Sequence, residues 1–449
     1  MRRVWIAALV VTASAGLAPA QTVPAAPTRR TPLVVTSETA PAPRVVATPA
    51  LRDVKGQLLP TPSLRFAKGF AIELVAKVQG DLSRFEPVVD KDDEDFDWRR
   101  RRLGVKGELF GRIDFEVERE FSDSRDPWRD VYLDLKAADV FAVKVGHFRV
   151  PFSLDGLTGS TSHDFVNRSL IARALAPGRD LGVMVHGGTK GRLLTYALGA
   201  FDGDTPKLRS EQSFDDDKGA ASFGRTFGGR VTSQPFDRLD DLPRALRNLE
   251  LGASVAWSTV PEGLNSVRGR SVYGYGFFAP VYVNGDRVRA GVDAVVRAGP
   301  TSVKAEWLGS WDERLGQGLG DVDLPRTFGR GWYVAGTWLV TGEEKDEEVR
   351  PTRPFLQGGI GAVEVAGRYE QLGFGSVSTA GEPAFANPRA ANLLRNRDDV
   401  VTVGLTWFLN RWFKVQGNAI HESFDDPARA PIEGRGAYWS YVGRLQFAL

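Results

Sequence analysis

The chain has 449 residues, 42% of them hydrophobic and 25% charged, with no cysteine and a formal net charge of +2. Those values exclude a disulfide scaffold, a thiolate metal site, a cysteine nucleophile, a basic nucleic-acid binder and a disordered polymer. A mean hydropathy of −0.23 excludes a bundle of apolar helices, yet the 11 Trp, 26 Phe and 9 Tyr seldom fall in long apolar blocks.

Residues 1–20 carry Arg2 and Arg3, a short apolar core from Val4 to Val11, and Ala18-Pro19-Ala20. This is the layout of a secretory signal peptide with a small-x-small cleavage site. The apolar run is too short to cross a bilayer of ~30 Å. Cleavage removes two arginines and no acidic residue, leaving basic and acidic residues equal in number. Residues 21–63 hold eight of the 26 prolines and no aromatic residue, so they read as a flexible periplasmic tail. No later segment offers ~20 consecutive apolar residues, so an exported chain of this kind can enter a membrane only as a closed β-barrel.

From about Gly69 onward apolar residues recur at every second position. Phe70, Ile72, Leu74, Ala76 and Val78 alternate with Glu73, Lys77 and Gln79. Ile113, Phe115 and Val117 alternate with Asp114, Glu116, Glu118 and Glu120. Val288, Ala290, Val292, Ala294 and Val296 alternate with Arg289, Asp293 and Arg297. Val401, Val403, Leu405 and Trp407 alternate with Thr402, Gly404 and Thr406, and the chain ends on Trp439, Tyr441, Gly443, Leu445, Phe447 and Leu449. A period of two places one set on each face of a strand. A soluble β-sandwich also alternates. Many segments here approach ten residues, however, and the polar face carries full charges, which suits a wet lumen. Gly336, Gly404 and Gly443 read as relief of bends in a curved wall.

Tight turns fall at 111–112, 137–138, 298–300 and 410–411. Long connections fall near 80–98, 150–178, 202–223, 258–286, 312–329, 372–397 and 423–436. Short periplasmic turns and long external loops are the rule for outer-membrane barrels; two periplasmic connections, 234–248 and 342–358, are longer than that rule expects. Seventeen alternating segments can be counted. Placing the glycine-broken segment 272–282 inside a loop leaves about sixteen strands, the even number that a barrel with both termini periplasmic requires. The fold class is therefore all-β: a transmembrane antiparallel β-barrel over residues 64–449.

Val145-Gly146-His147-Phe148-Arg149-Val150-Pro151-Phe152-Ser153 resembles the VGQFKVPFS stretch of the phosphate-selective porin O and P family. Arg102-Leu103-Gly104-Val105-Lys106-Gly107, Asn167-Arg168-Ser169-Leu170, Pro177-Gly178-Arg179-Asp180-Leu181-Gly182-Val183, Leu339-Val340-Thr341-Gly342-Glu343, the stretch from Gly361 to Tyr369 and the stretch from Gly404 to Asn410 are similar to further segments of that family, in order. The resemblance implies a sixteen-stranded outer-membrane porin, trimeric, that passes anions by diffusion, with the loop after the fifth strand (150–178 here) folded inward to narrow the lumen. The family's lysine cluster has no counterpart residue by residue: the loop holds Arg168 and Arg173 but no lysine. That favours a general or mildly anion-preferring pore over a phosphate-specific one.

In a pore the relevant chemistry is electrostatic, and rings of Arg or Lys favour anions. The strand register turns Arg102, Lys106, Lys136, Lys144, Arg289, Arg297, Lys304, Arg368, Lys414 and Arg444 to the lumen, and Arg168, Arg173 and Arg179 lie at or beside the inward loop. They form either a basic path for anions or a wall braced by lumen carboxylates; the acidic stripe Asp114, Glu116, Glu118 and Glu120 supports bracing. Asp90, Asp92, Asp93, Glu94, Asp95 and Asp97 form an acidic cluster in the first long loop, but Trp98 stands where a calcium loop needs glycine, so a solvated external loop is expected. Ser162-His163-Asp164 spells out a hydrolytic triad, yet adjacent residues do not point at one another. No cofactor is expected. The partners expected are outer-membrane lipid, lipopolysaccharide, small anions as permeants and further copies of the chain, with no nucleic acid. The competing readings are a barrel enzyme of lipase or protease type and a plugged structural or adhesion barrel.

Overall fold

The structure is a computed structural model and describes residues 46–47, 63–67, 69–86, 94–122, 127–189, 192–203, 225–355, 357–376, 389–432 and 434–449. The signal-peptide segment and nearly all of the proline-rich segment lie outside these residues, as do the acidic residues Asp90, Asp92 and Asp93.

Sixteen antiparallel strands close on themselves. In chain order they are β1 (Phe70–Glu86), β2 (Glu94–Leu109), β3 (Ile113–Glu120), β4 (Trp128–Ala138), β5 (Phe141–Arg149), β6 (Arg179–Gly188), β7 (Thr195–Phe201), β8 (Thr226–Ser233), β9 (Glu250–Leu264), β10 (Tyr282–Ala298), β11 (Thr301–Arg314), β12 (Leu324–Leu339), β13 (Ala362–Ser376), β14 (Asn396–Phe408), β15 (Phe413–Phe424) and β16 (Ala437–Ala448). Each pairs with its sequence neighbour, and β16 returns to β1 through Trp439 opposite Glu86 to Ala448 opposite Lys77. Closure removes the sheet edges, which lipid would leave without hydrogen-bond partners. Among the described residues no helix is long and apolar enough to cross a membrane.

The alternation sorts the wall inside out. Leu103, Val145, Val183, Leu198, Val292, Val334, Val403 and Leu445 are exposed on the outer face, while Arg287, Arg289, Glu364, Glu370, Asp398 and Glu422 are fully buried on the inner one. Lipid takes the place of a core on the outside, so exposed apolar side chains there are the stable arrangement.

Segment 272–282 is indeed absent from the wall. Gly269–Arg270 and Gly276–Phe278 form a small hairpin within a loop, and Tyr282 already opens β10. Several connections are shorter than the sequence predicts. The loop expected over 258–286 is 265–281, that over 312–329 is 315–323, that over 372–397 is 377–395, and β1 and β2 run on to Glu86 and from Glu94. These strands continue as hairpins past the apolar band, where the outward residues include Thr259, Asp286, Glu313 and Arg397 while Val260, Val283, Leu372 and Phe374 turn inward and are buried, so the apolar-outward alternation no longer marks them. Within the expected tail, Val46–Ala47 pairs with Ser63–Ala67, which in turn flanks the start of β1. Connection 150–178 has the predicted bounds.

Candidate functional site

The connection 150–178 leaves β5 at Arg149 and folds into the barrel as two short helices, α1 (Leu154–Leu157) and α2 (Leu170–Leu175). Local sequence starts each helix. Ser153 Oγ accepts from Gly156 N (2.8 Å), and Ser169 Oγ accepts from Ala172 N (3.3 Å). These hydroxyls satisfy amides that a helix start leaves without partners. Helix α2 is apolar on its wall side: Leu170, Ile171 and Leu175 are almost completely buried, in one cluster with Tyr333, Leu372 and Phe374.

Wall glycines make room for this helix. A Cβ at Gly331 would lie 2.6 Å from Ile171 Cγ2, and one at Gly329 would lie 2.9 Å from Leu175 Cδ2. Gly404 belongs to the same seat: a Cβ there would come within 2.7 Å of Asn418 and 3.4 Å of Phe165. Its role is close approach of the loop, where the sequence suggested relief of a bend.

Polar wall groups hold the loop backbone. Glu306 accepts from Leu154 N (2.7 Å) and Asp155 N (3.2 Å), Glu370 from Leu170 N (2.6 Å), and Asn418 from Val166 N (2.7 Å). Arg444 makes a two-pronged pair with Asp81 at 2.6 Å and donates to Val166 O (2.8 Å). Asp164 receives Lys304 Nζ (2.6 Å) and Lys345 Nζ (2.8 Å), and Lys345 also meets Glu364. Burial pushes the Asp164 carboxyl up, but these two ammonium groups outweigh it and hold the carboxyl below the usual carboxylate range. Lys345 is raised in turn, its burial outweighed by Asp164 and Glu364.

His163 is part of this framework. Its Nδ1 lies 3.3 Å from Asp155 Oδ1, and its Nε2 accepts from Arg168 Nε (3.2 Å). Burial, then the Arg168 guanidinium, push the imidazole down to about 3 against the pull of Asp155. A neutral ring with Nε2 turned to an arginine offers no base to a serine. Ser169 Oγ instead donates to Asp155 Oδ2 (2.9 Å), and Asp164 points away to its two lysines. Ser162, His163 and Asp164 are therefore not assembled for nucleophilic attack.

A second loop, 265–281, also enters the lumen, which the sequence reading did not foresee. Val267, Val272, Phe277 and Phe278 are buried, Val272 N donates to Glu422 Oε1 (2.6 Å), and Asn396 Nδ2 donates to Phe277 O (2.8 Å). Arg173 of α2 donates to the carbonyls of Ser271 and Val272, joining the two loops. Apolar Val267, Val272, Phe277 and Phe278 in a loop otherwise expected to face water were the available signal.

The thirteen basic residues picked from the register fall into three sets. Arg289, Arg368, Lys414 and Arg444 are buried in the wall under the inward loops: Arg368 pairs with Glu370 (2.8 Å) and donates to Asn167 O (3.1 Å), Lys414 donates to His163 O (3.2 Å), and Arg289 lies beside Arg287 and Asp312. Lys304, Arg168 and Arg173 hold the loops, Arg168 through the carbonyls of Gly156 and Thr158 (both 2.9 Å). The other six have carboxylate partners and range from buried Arg102 to Lys106 and Lys136, which are about half exposed. Arg102 meets Glu118 (3.1 Å) and Glu120 (2.6 Å), Lys106 meets Glu73 (3.6 Å), Lys136 meets Asp114 (2.5 Å), Lys144 meets Asp134 (3.2 Å), Arg179 meets Asp130 (2.6 Å) and Arg297 meets Glu347 (3.9 Å).

Two arginines were missed. Arg149 donates to the carbonyls of Gly156 (2.6 Å) and Thr158 (2.8 Å), and Arg100 donates to Gln79. Arg149 counts as outward by alternation, but the strand ends there and the chain swings inward at Pro151. Arg168 lies within electrostatic range of Arg100, Arg102, Arg149 and Arg179 beside the inward loop. Among the described residues no group of three His, Asp or Glu side chains is arranged to hold a metal ion.

A closed antiparallel wall, apolar outside and charged inside with a loop packed into the lumen, defines an outer-membrane β-barrel of the porin type. The model of the phosphate-selective porin O and P family matches residues 72–449, and the chain belongs to that family. An uncharacterized protein of Caulobacter vibrioides is 26% identical over 288 residues, covering 61% of this chain and 55% of that protein, so the chain spans about half the length of the curated relative it matches. Among solved structures, a loop L8 deletion mutant of the outer-membrane protein OmpT of Vibrio cholerae superimposes with a TM-score of 0.55 at 11% identity, over 85% of this chain and 100% of that one. The trimer form of in-vitro folded OmpT from the same organism gives 0.54 at 11% identity, over 85% and 100%. These likenesses establish the fold. The end carrying both barrel termini and most of the short turns is the periplasmic one, and the inward loops descend from the external side.

Proposed function

We propose that this porin is a water-filled channel for passive diffusion of small hydrophilic solutes, with a preference for anions. The observation that carries the reading is the arginine group beside the inward loop. Arg149 and Arg168 spend their donors on the Gly156 and Thr158 carbonyls, and Arg168 also on His163, rather than on a paired carboxylate. With Asp155 and Asp130 in their electrostatic range, they leave a basic excess beside the inward loop. A guanidinium fork suits phosphate, carboxylate and similar oxyanions. The nearby Glu118 and Asp130 are already matched by Arg102 and Arg179.

The wall also favours assembly with further copies of the chain. Strands β3, β7 and β8 have only 8, 7 and 8 residues. At ~3.3 Å per residue and a tilt of ~40°, they span roughly 20 Å, less than the apolar band of ~25 Å. A second copy beside this face would shield it from lipid, and Vibrio OmpT, which has the same fold, occurs in a trimer form.

The test is a planar-bilayer recording of the purified protein in a KCl gradient. The reading expects a steady open conductance and a reversal potential of the sign set by chloride permeation, with phosphate and gluconate also carried. A cation-selective reversal potential would sink the anion preference, and the absence of any steady conductance would favour a plugged barrel.

A further inference from the structure

Among the described residues, two cavities at opposite ends of the barrel are lined by an excess of opposite charge. On the external side, a cavity of about 570 Å³ lies between the two inward loops and β1, β2 and β16. Arg99, Arg173, Arg268 and Arg270 line it against Asp81 and Asp97, and Asp81 is already held by Arg444. On the periplasmic side the over-long connection 340–361 folds beneath the barrel. A cavity of about 600 Å³ there is lined by Glu343, Glu344, Asp346, Glu347 and Glu348 against Arg192, Arg297 and Arg350.

The acidic segment is fixed in place. Lys345 N donates to Gly299 O (2.8 Å), and the Lys345 side chain passes inward to Asp164 on the constriction loop and Glu364 on the wall. Val349 is buried with Leu339 and Ala362, and Phe355 N donates to Leu409 O (2.7 Å). Arg244 meets Glu344 (2.9 Å), tying this connection to the other long periplasmic one. The one lysine of the acidic run is thus withdrawn into the protein, while its carboxylates remain at the mouth.

We propose that the pore is electrostatically bipolar along its axis and that it rectifies ionic current. This rests on the open-channel reading above. Anions are enriched at the arginine-lined external mouth and cations at the carboxylate-lined periplasmic mouth. When the external side is negative, each ion is driven into the lumen from the mouth where it is concentrated, and the pore fills with carriers. With the opposite polarity each is drawn out of its own mouth and the lumen is depleted. The effect requires mouths comparable in width to the screening length, which is about 30 Å at 0.01 M salt and about 3 Å at 1 M.

The experiment is a single-channel current–voltage curve in symmetric KCl. Recording one channel at a time removes averaging over insertion direction. The expected result is a current ratio of about 1.5 to 3 between the two polarities in dilute salt, falling toward 1 at 1 M as screening shortens. The variant Glu343→Gln/Glu344→Gln/Asp346→Asn/Glu347→Gln/Glu348→Gln keeps Lys345 and should lose most of the ratio while still conducting. If that variant fails to fold, Glu347→Cys replaces it, since the chain has no cysteine. A cationic thiol reagent added from the periplasmic side should then weaken rectification, and an anionic one should preserve it. A linear curve in dilute salt, or a ratio unchanged by both the neutralised variant and the thiol reagents, overturns the proposal with the channel reading intact. A protein with no conductance at all overturns the channel reading itself.

Discussion

The two halves of the barrel differ in what covers their inner faces. From β9 to β16 the wall alternates between exposed and buried positions almost without a break, because loops 150–178 and 265–281 lie against it. From β1 to β4 part of the inner face, at its periplasmic end, stays half-open: Lys106 and Lys136 remain about half exposed beside Glu73 and Asp114, while Glu118 and Glu120 on β3 are buried. The same chemistry, a lysine or arginine opposite a carboxylate, therefore does two jobs. Under the loops it is desolvated and holds backbone in place. On the open side it is screened by water and shapes the field that solutes meet.

The sharpest way to break this comparison is to remove a buried partner. Arg444→Leu leaves Asp81 buried without its two-pronged partner and Val166 O without a donor. The expected cost is ~3–5 kcal/mol, read as a lower urea midpoint for unfolding from lipid vesicles by tryptophan fluorescence. A midpoint like that of wild type would mean the packed half is not held by its charges.

Gly331→Val tests the seat of α2. The added side chain meets Ile171 Cγ2 and the Gln371 carbonyl, whose oxygen would be 2.1 Å from the new Cβ. Overpacking should cost ~1–3 kcal/mol and displace α2, so the single-channel conductance should change. An unaltered conductance together with unaltered stability would show that the helix does not depend on this seat.

Acid should act on the packed half through His163. Its folded-state pKa of about 3 lies below the ordinary imidazole value, so the unfolded chain takes up the proton first. The stability this neutral ring contributes is full above ~6.5 and is lost as pH falls toward 3. Asp155, held below the carboxylate range by His163 and Arg168 against its own burial, works in the same direction. Unfolding midpoints at pH 7 and pH 4.5 should therefore differ, and His163→Gln should narrow the gap. An equal gap in both proteins would remove His163 from the account.

Beside the inward loop, Arg149→Gln/Arg168→Gln should shift the reversal potential toward cation permeation and, since both hold the Gly156 and Thr158 carbonyls, also lower the urea midpoint. An unshifted reversal potential would remove these arginines from selectivity. Lys136→Leu should be the mildest change. It breaks a half-exposed pair worth under about 1 kcal/mol, so the urea midpoint should barely move. A large loss there would erase the difference between the halves.

The wall was legible in the sequence because a strand's period is fixed at two and lipid on one side with water on the other reads that period out directly. Val403 and Leu405 outward, Thr402 and Thr406 inward, follow from counting alone. The bounds of 150–178 were legible because the flanking strands keep their alternation up to its ends. The partners of the inward charges were not, since Asp164 meets Lys304 and Lys345 across 140 and 181 residues of chain, and Val166 meets Asn418 across 252. The entry of loop 265–281 was readable only from its buried apolar residues, and Lys345 gave no signal because a lysine amid five carboxylates reads as solvated.

Sequence by itself thus determined the barrel, its two faces and its family, for those depend on local periodicity and on matched segments. Only the tertiary structure decided which part of the lumen the loops fill and which charged side chains are buried and paired beneath them. Those depend on loops folding back onto strands far away in the chain, where burial strips water from a charge and forces it to find a partner.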